Sequence, residues 1–101
     1  MSVKHINEDE FKKEVLEAKE VVFVDFYADW CGPCRMLGPV MEEISETHNV
    51  VKVNVDEAME LAQEYGIMSI PCVIVFKDGK ELNRSVGLRP KEDILKMVDE
   101  K

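Results

Sequence analysis

Basic side chains are scarce in this 101-residue chain: 13 Lys and Arg stand against 21 Asp and Glu, a formal net charge of −8 with both histidines neutral. A surface that neutralises phosphates carries the opposite sign, clustered on one face, so nucleic-acid binding is all but excluded. Long apolar runs are missing as well. None reaches the roughly 18 to 20 residues that span a bilayer, so no membrane partner is expected. The opening stretch, Met-Ser-Val-Lys-His-Ile-Asn-Glu-Asp-Glu, has no apolar segment behind a basic start. No secretory signal is read there, and a cytoplasmic address is expected. Cysteines number only three, an odd count that does not make a disulfide framework and that agrees with a reducing compartment. Internal repeats, low-complexity tracts and Gly/Ser/Pro-rich linkers are absent too. What remains is ordinary for a packed globule, with 46% hydrophobic residues. At this length one continuous domain, residues 1–101, is expected.

Residues 3–6 read as a short first strand. Asn7 is a good N-cap and Glu10 completes a capping box, with Ile6 and Phe11 placed as a hydrophobic staple. Phe11, Val15 and Ala18 continue a buried stripe, which predicts a helix over about 8–18. Residues 21–27, Val-Val-Phe-Val-Asp-Phe-Tyr, are apolar on both alternating faces apart from one acid, as in a strand covered on both sides by helices. Leu37, Val40, Met41 and Ile44 repeat at helical spacing over about 32–47, with Pro39 inside as a source of a kink. Residues 50–55 form a second β-branched run. A helix over about 57–65 presents Ala58, Leu61, Ala62 and Tyr65 and is closed by Gly66. Pro71 precedes the apolar strand Cys72–Phe76, and Asp78-Gly79 turns it into a strand around 81–86. Pro90 opens a last helix whose Ile94, Leu95 and Val98 face inward. The order βαβαβα, then a hairpin and a helix, predicts an α/β domain with a mixed sheet whose last pair is antiparallel.

Trp30-Cys31-Gly32-Pro33-Cys34 stands where the buried strand hands over to a helix. Cysteines three apart in a first helical turn bring their α-carbons near the roughly 4.4–6.8 Å that a disulfide spans. Cys31 at the helix N-terminus meets unpaired backbone N–H groups and the positive end of the dipole, both of which favour a thiolate. Moving a thiol pKa from about 8.5 to the value of about 7 known for C-x-x-C thiols takes roughly 2 kcal/mol. The dipole supplies about 0.3–1 kcal/mol, so hydrogen bonds to sulfur must provide much of the rest. The net rate gain is only around threefold, because each thiolate loses nucleophilicity as its pKa falls. Leaving-group quality, redox poise and substrate positioning carry more. A C-x-x-C pair can also be half of a zinc site. Zinc needs four ligands, and the remaining candidates, Cys72, His5 and His48, form no second paired motif. A lone carboxylate at Asp25, in an apolar strand, is costly to keep charged, so its pKa should rise unless backbone donors at a strand end satisfy it.

Val24-Asp25-Phe26-Tyr27-Ala28-Asp29-Trp30-Cys31-Gly32-Pro33-Cys34 closely resembles the active-site segment of the thioredoxin family. Lys52-Val53-Asn54-Val55-Asp56, Gly66-Ile67-Met68-Ser69-Ile70-Pro71, Phe76-Lys77-Asp78-Gly79 and Val86-Gly87 fall where that family places their counterparts, so the resemblance covers essentially the whole chain. It implies the thioredoxin fold, a central five-stranded mixed β-sheet flanked by four α-helices. It also implies a general protein-disulfide reductase. Cys31 attacks a substrate disulfide, and Cys34 resolves the mixed disulfide to leave Cys31–Cys34 oxidised. Asp25 accepts the proton of Cys34, directly or through water, with Lys52 as the charge partner of this acid. The electron donor is a thioredoxin reductase, the partners are disulfide-containing proteins, and no metal or prosthetic cofactor is implied. Pro71 is expected in the cis form, with the backbone at Ile70 pairing with an extended substrate. Trp30, Gly32, Pro33, Ile70, Val86, Gly87 and Leu88 are expected to form a shallow apolar surface around Cys31. A monomer is expected.

Two positions depart from the family pattern. Tyr27 replaces a common second tryptophan, a conservative aromatic change. Cys72 stands where threonine is usual, and reads as a small buried hydrophobe or as a partner in a regulatory disulfide. His5 and His48 read as surface residues. Redox direction is not set by fold, so a disulfide oxidase or isomerase is one alternative function and a non-catalytic binding subunit another. The Gly32-Pro33 pair resembles the reducing members.

Overall fold

The computed structural model describes residues 2–99. Its elements follow the expected order: β1 (Lys4–His5), α1 (Glu8–Phe11), β2 (Val22–Tyr27), α2 (Gly32–Ile44), β3 (Asn49–Asn54), α3 (Met59–Glu64), β4 (Cys72–Lys77), β5 (Lys80–Val86) and α4 (Lys91–Lys96). The five strands make one sheet in the order β1-β3-β2-β4-β5. β1, β3 and β2 run parallel, while β4 and β5 close the sheet as an antiparallel hairpin beside β2. This is the thioredoxin fold with four helices.

The alternation of side chains across the sheet splits the core in two. On one face Val22, Val24, Phe26, Val51, Val53, Ile74 and Phe76 pack against Phe11, Val15 and Leu61. On the other, Phe23, Val50, Val73 and Val75 pack against Leu37, Met41 and Ile44 of α2 and Ile94 and Met97 at the C-terminal end. Each fully buried side chain of this kind contributes about 1.5–3 kcal/mol, and burial on both faces is why β2, apart from Asp25, and β4 up to Phe76 read as apolar runs.

Local chemistry explains most element ends. Asn7 caps α1, and the reciprocal bonds with Glu10 complete the capping box at 3.0 and 2.9 Å. The helix expected to run evenly to 18 changes character after Phe11: Lys12–Leu16 form a π-helical turn, closed by the Glu17 N–H to the Lys12 carbonyl at 2.9 Å. The helix expected to end at 47 ends at Ile44. There the Ser45 hydroxyl donates to the Glu42 carbonyl, and the next residues tighten into turns. Pro39 lies inside α2, which continues through it. α3 starts at Met59 behind Ala58, an N-cap that offers no side-chain hydrogen bond; the Glu8 carboxylate, brought from α1, accepts the Leu61 N–H at 3.0 Å instead. His48 is half-buried rather than on the surface, because its ring packs edge-on against Phe23 with centroids 5.3 Å apart. Among the described residues no helix is long and apolar enough to cross a membrane.

Candidate active site

Cys31 is the N-cap of α2, in extended backbone conformation, and Gly32 and Pro33 fill its first two helical positions. Proline is tolerated there because a first-turn residue has no intrahelical acceptor for its missing N–H. Glycine at position 32 is not demanded by packing, since an added Cβ would meet nothing closer than the Arg35 guanidinium at 4.0 Å. This geometry points the Cys34 N–H at the Cys31 sulfur, 3.2 Å away. The side chain of Cys31 thus takes the place of a serine or aspartate cap and collects a backbone hydrogen bond that a thiolate would strengthen. The two cysteines are joined as a disulfide, with α-carbons 5.2 Å apart. Cys31 keeps 5% of its surface and Cys34 only 2%, and both pack against Ala28.

Asp25 lies two strands from the sheet edge, in register with Lys52 on β3 and Val73 on β4. It shares its face with Phe23, the face that α2 covers. Its side chain is fully buried, and neither carboxylate oxygen has a hydrogen-bond partner among the described residues. Burial pushes its pKa from the ordinary 3.8 up to about 6, against the opposing pull of the Lys52 ammonium. Lys52 and Cys34 line one half-open cavity of about 170 Å³ together with His5, Tyr27 and Arg35. The cavity opens to solvent and reaches the inner cysteine.

On the outer side, the Cys31 sulfur lies 3.8 Å from the Ile70 carbonyl oxygen. The Ile70–Pro71 bond is cis, and Pro71 itself is buried. The Gly87 N–H donates to the Pro71 carbonyl at 2.8 Å, and Val86 pairs with Cys72 across β4 and β5. Two chain segments distant in sequence are therefore locked side by side next to the dithiol. Gly87 has φ near +92°, a conformation that a residue with a Cβ adopts only under strain. Pro33, Val86 and Leu88 are exposed, Gly32 and Ile70 half so, and Trp30 most of all at 69%. Large apolar side chains left in water beside a reactive sulfur are what a docking surface for an apolar substrate segment requires.

Four contributors to this site escaped the sequence reading. Asp56 accepts the Trp30 indole N–H at 2.8 Å and so fixes an otherwise exposed ring. Arg35 donates to the Asp29 carbonyl at 2.8 Å, holding the turn before Cys31. His5 and Tyr27 join through Nδ1 and the hydroxyl at 3.2 Å. The run Lys52–Asp56 held the signal for Asp56, but no local pattern pairs residues 26 or 22 positions apart. Cys72 is free and only 1% exposed, on the sheet face opposite Asp25. Burial raises its pKa, with the Arg84 guanidinium opposing.

Comparison with known proteins places this geometry in context. A family model described as thioredoxin matches residues 2–100. The chain is 48% identical over 93 residues to thioredoxin 1 of Synechococcus elongatus, covering 88% of this chain and 87% of that one. It is 42% identical over 99 residues to a thioredoxin of Rickettsia felis, covering 94% of each. Among solved structures it resembles a mutant thioredoxin from Halobacterium salinarum with a TM-score of 0.89 at 35% identity, over 97% of this chain and 88% of that one.

Proposed function

The chain belongs to the thioredoxin family and is a thiol–disulfide oxidoreductase, and we propose that it acts, as a monomer, as a general protein-disulfide reductase of the cytoplasm. In this reading a thioredoxin reductase supplies the electrons, disulfide-containing proteins receive them, and Cys31–Cys34 is the whole redox centre, with no prosthetic group or metal. The observation that carries it is the Cys31 sulfur at the head of α2, accepting the Cys34 N–H at 3.2 Å with its partner sulfur already within bonding reach.

The steps follow from that placement. In the reduced protein the Cys31 thiolate attacks one sulfur of a substrate disulfide, forms a mixed disulfide and expels the first substrate thiolate. Cys34 gives its proton to the Asp25 carboxylate, and the resulting thiolate attacks the Cys31 sulfur. The second substrate thiolate leaves as the Cys31–Cys34 bond forms. The substrate has gained two electrons and the protein has lost two. The roles of the rim follow the same logic: Trp30, Gly32, Pro33, Val86, Gly87 and Leu88 offer apolar surface, while the Ile70–Pro71 backbone pairs with an extended segment. Because the affinity comes from backbone and shapeless apolar contact, the substrate range is broad.

Reduction of an insulin-type disulfide, coupled to candidate reductases, tests the direction of flow. A potential near about −270 mV is expected for a reductase of this type. A value above about −180 mV would assign the dithiol to oxidation or isomerisation instead.

A further inference from the structure

One residue from each strand stands in a single row across the sheet: His5, Lys52, Asp25, Val73 and Ser85, in the order β1-β3-β2-β4-β5. Four of the five are polar, on the face that otherwise forms the apolar floor beneath α2 and α4. Tyr27 follows Asp25 by two residues on β2 and therefore shares this face. Its hydroxyl meets His5 Nδ1 at 3.2 Å, with the two rings perpendicular. The Lys52 ammonium lies over the face of the same ring, 4.2 Å from its centroid. All three side chains line the cavity that reaches Cys34.

A lysine with four rotatable bonds beside open solvent ordinarily swings its charge into bulk water. Here an aromatic face attracts it, and a histidine pins that aromatic from the neighbouring edge strand. We propose that Tyr27, anchored by His5, is a positioning residue for the resolving step: it holds the Lys52 ammonium beside Asp25 in the wall of the cavity leading to Cys34. The inference rests on the reading of Asp25 as the acceptor of the Cys34 proton. A cation kept in place keeps Asp25 ionised and ready before Cys34 attacks. The cavity exceeds the roughly 10–15 Å³ that one water requires, so water can stand against Lys52 and Cys34.

The groups that bear on Asp25 are Lys52 from β3, Tyr27 from its own strand and Cys72 from β4, while the C-terminal end presents Ile94 and Met97, and His5, Cys34, Asp29 and Arg35 line the cavity that Lys52 and Tyr27 share. Tyr27 in turn faces Asp29, Glu57 and Asn54. The other cation of the cavity, Arg35, is tied to the Asp29 carbonyl at 2.8 Å.

The test mixes reduced protein with an aromatic disulfide and follows the two thiolate releases separately from pH 5 to 8. The first reports attack by Cys31 and the second resolution by Cys34. In Tyr27→Leu the midpoint of the second release is expected to move up by about one pH unit, slowing it about fivefold at pH 6 and about twofold at pH 7. The first release should stay within about 1.5-fold, and Tyr27→Trp, which restores an aromatic face, should restore the midpoint. A midpoint in Tyr27→Leu within about 0.3 pH unit of wild type overturns the proposal. Should that variant not fold, Tyr27→Phe decides: losing only the His5 anchor, it should shift the midpoint by about 0.3–0.5 pH unit, and no shift overturns the proposal. Asp25→Asn separates the two layers. If it leaves the second release unchanged at every pH, the acceptor reading fails and takes this inference with it. If Asp25 matters but Tyr27 variants do not move the midpoint, only the positioning role fails.

Discussion

Replacing Asp25 with asparagine should make the oxidised protein more stable at neutral pH and remove most of a pH dependence. The carboxyl is fully buried without a hydrogen-bond partner, and its pKa is pushed from 3.8 up to about 6. A raised carboxyl pKa means that the folded state holds the proton more tightly than the unfolded chain does. Stability is therefore fullest below pH 3.8 and is lost as the pH rises through about 6. The separation of the two values, at about 1.36 kcal/mol per pH unit, sets the full loss at about 3 kcal/mol. About half of it is already gone at pH 5, because the unfolded chain ionises first. Urea unfolding of wild type and Asp25→Asn between pH 3 and pH 8 measures this directly. The variant's advantage should grow by about 3 kcal/mol across that range, a relative midpoint shift of about 1–3 M urea. A difference between the two proteins that stays constant with pH would refute the reasoning, since an amide and an unstrained carboxylate would then be equally at home in β2.

Cys34→Ser should accumulate covalent mixed disulfides with protein substrates, visible on non-reducing gels, whereas Cys31→Ser should accumulate none; equal trapping by both would reverse the assigned roles. Gly79→Ala should cost at least about 2 kcal/mol and lower Tm by about 8 °C or more, because φ is +78° and the new Cβ would lie 2.8 Å from the Leu16 carbonyl oxygen. Gly87→Ala, with φ +92° but open space around it, is the control and should cost only about 1–2 kcal/mol. Thiol titration of the oxidised protein should find no reactive group until denaturant is added and then one, that of Cys72; a fast-reacting thiol, or peptide maps with Cys72 in a bridge, would restore the regulatory reading.

How much of this was legible beforehand depends on the range over which each feature is encoded. The capping box at Asn7 and Glu10 and the Asp78-Gly79 turn are written within four residues, and both appear as read. Asp25 announced itself by being the one charge in an apolar run. The dithiol needed only its spacing and its place at a strand-to-helix junction. Helix lengths were less legible. Apolar residues at 11, 15 and 18 satisfy a π-helical turn as well as an α-helical one, so the widening at Lys12–Leu16 left no mark in the pattern. The long helix stops at Ile44 because Ser45 bonds back to Glu42, an option that a count of apolar residues does not weigh.

The partners of the redox pair belong to a longer range still. Lys52 meets Asp25 because β3 lies beside β2, and His5 meets Tyr27 because β1 lies beyond β3 on the same edge. Strand faces follow from alternation, but strand order does not, and a slip of one residue would send Asp25 and Lys52 to opposite faces. The same holds for Trp30, whose indole is fixed by an acid 26 residues away. The cysteines supply a chemistry that four neighbouring residues can encode. In the proposed mechanism, whether the inner one can shed its proton depends on which strands are adjacent and on their register, and only the folded sheet determines that.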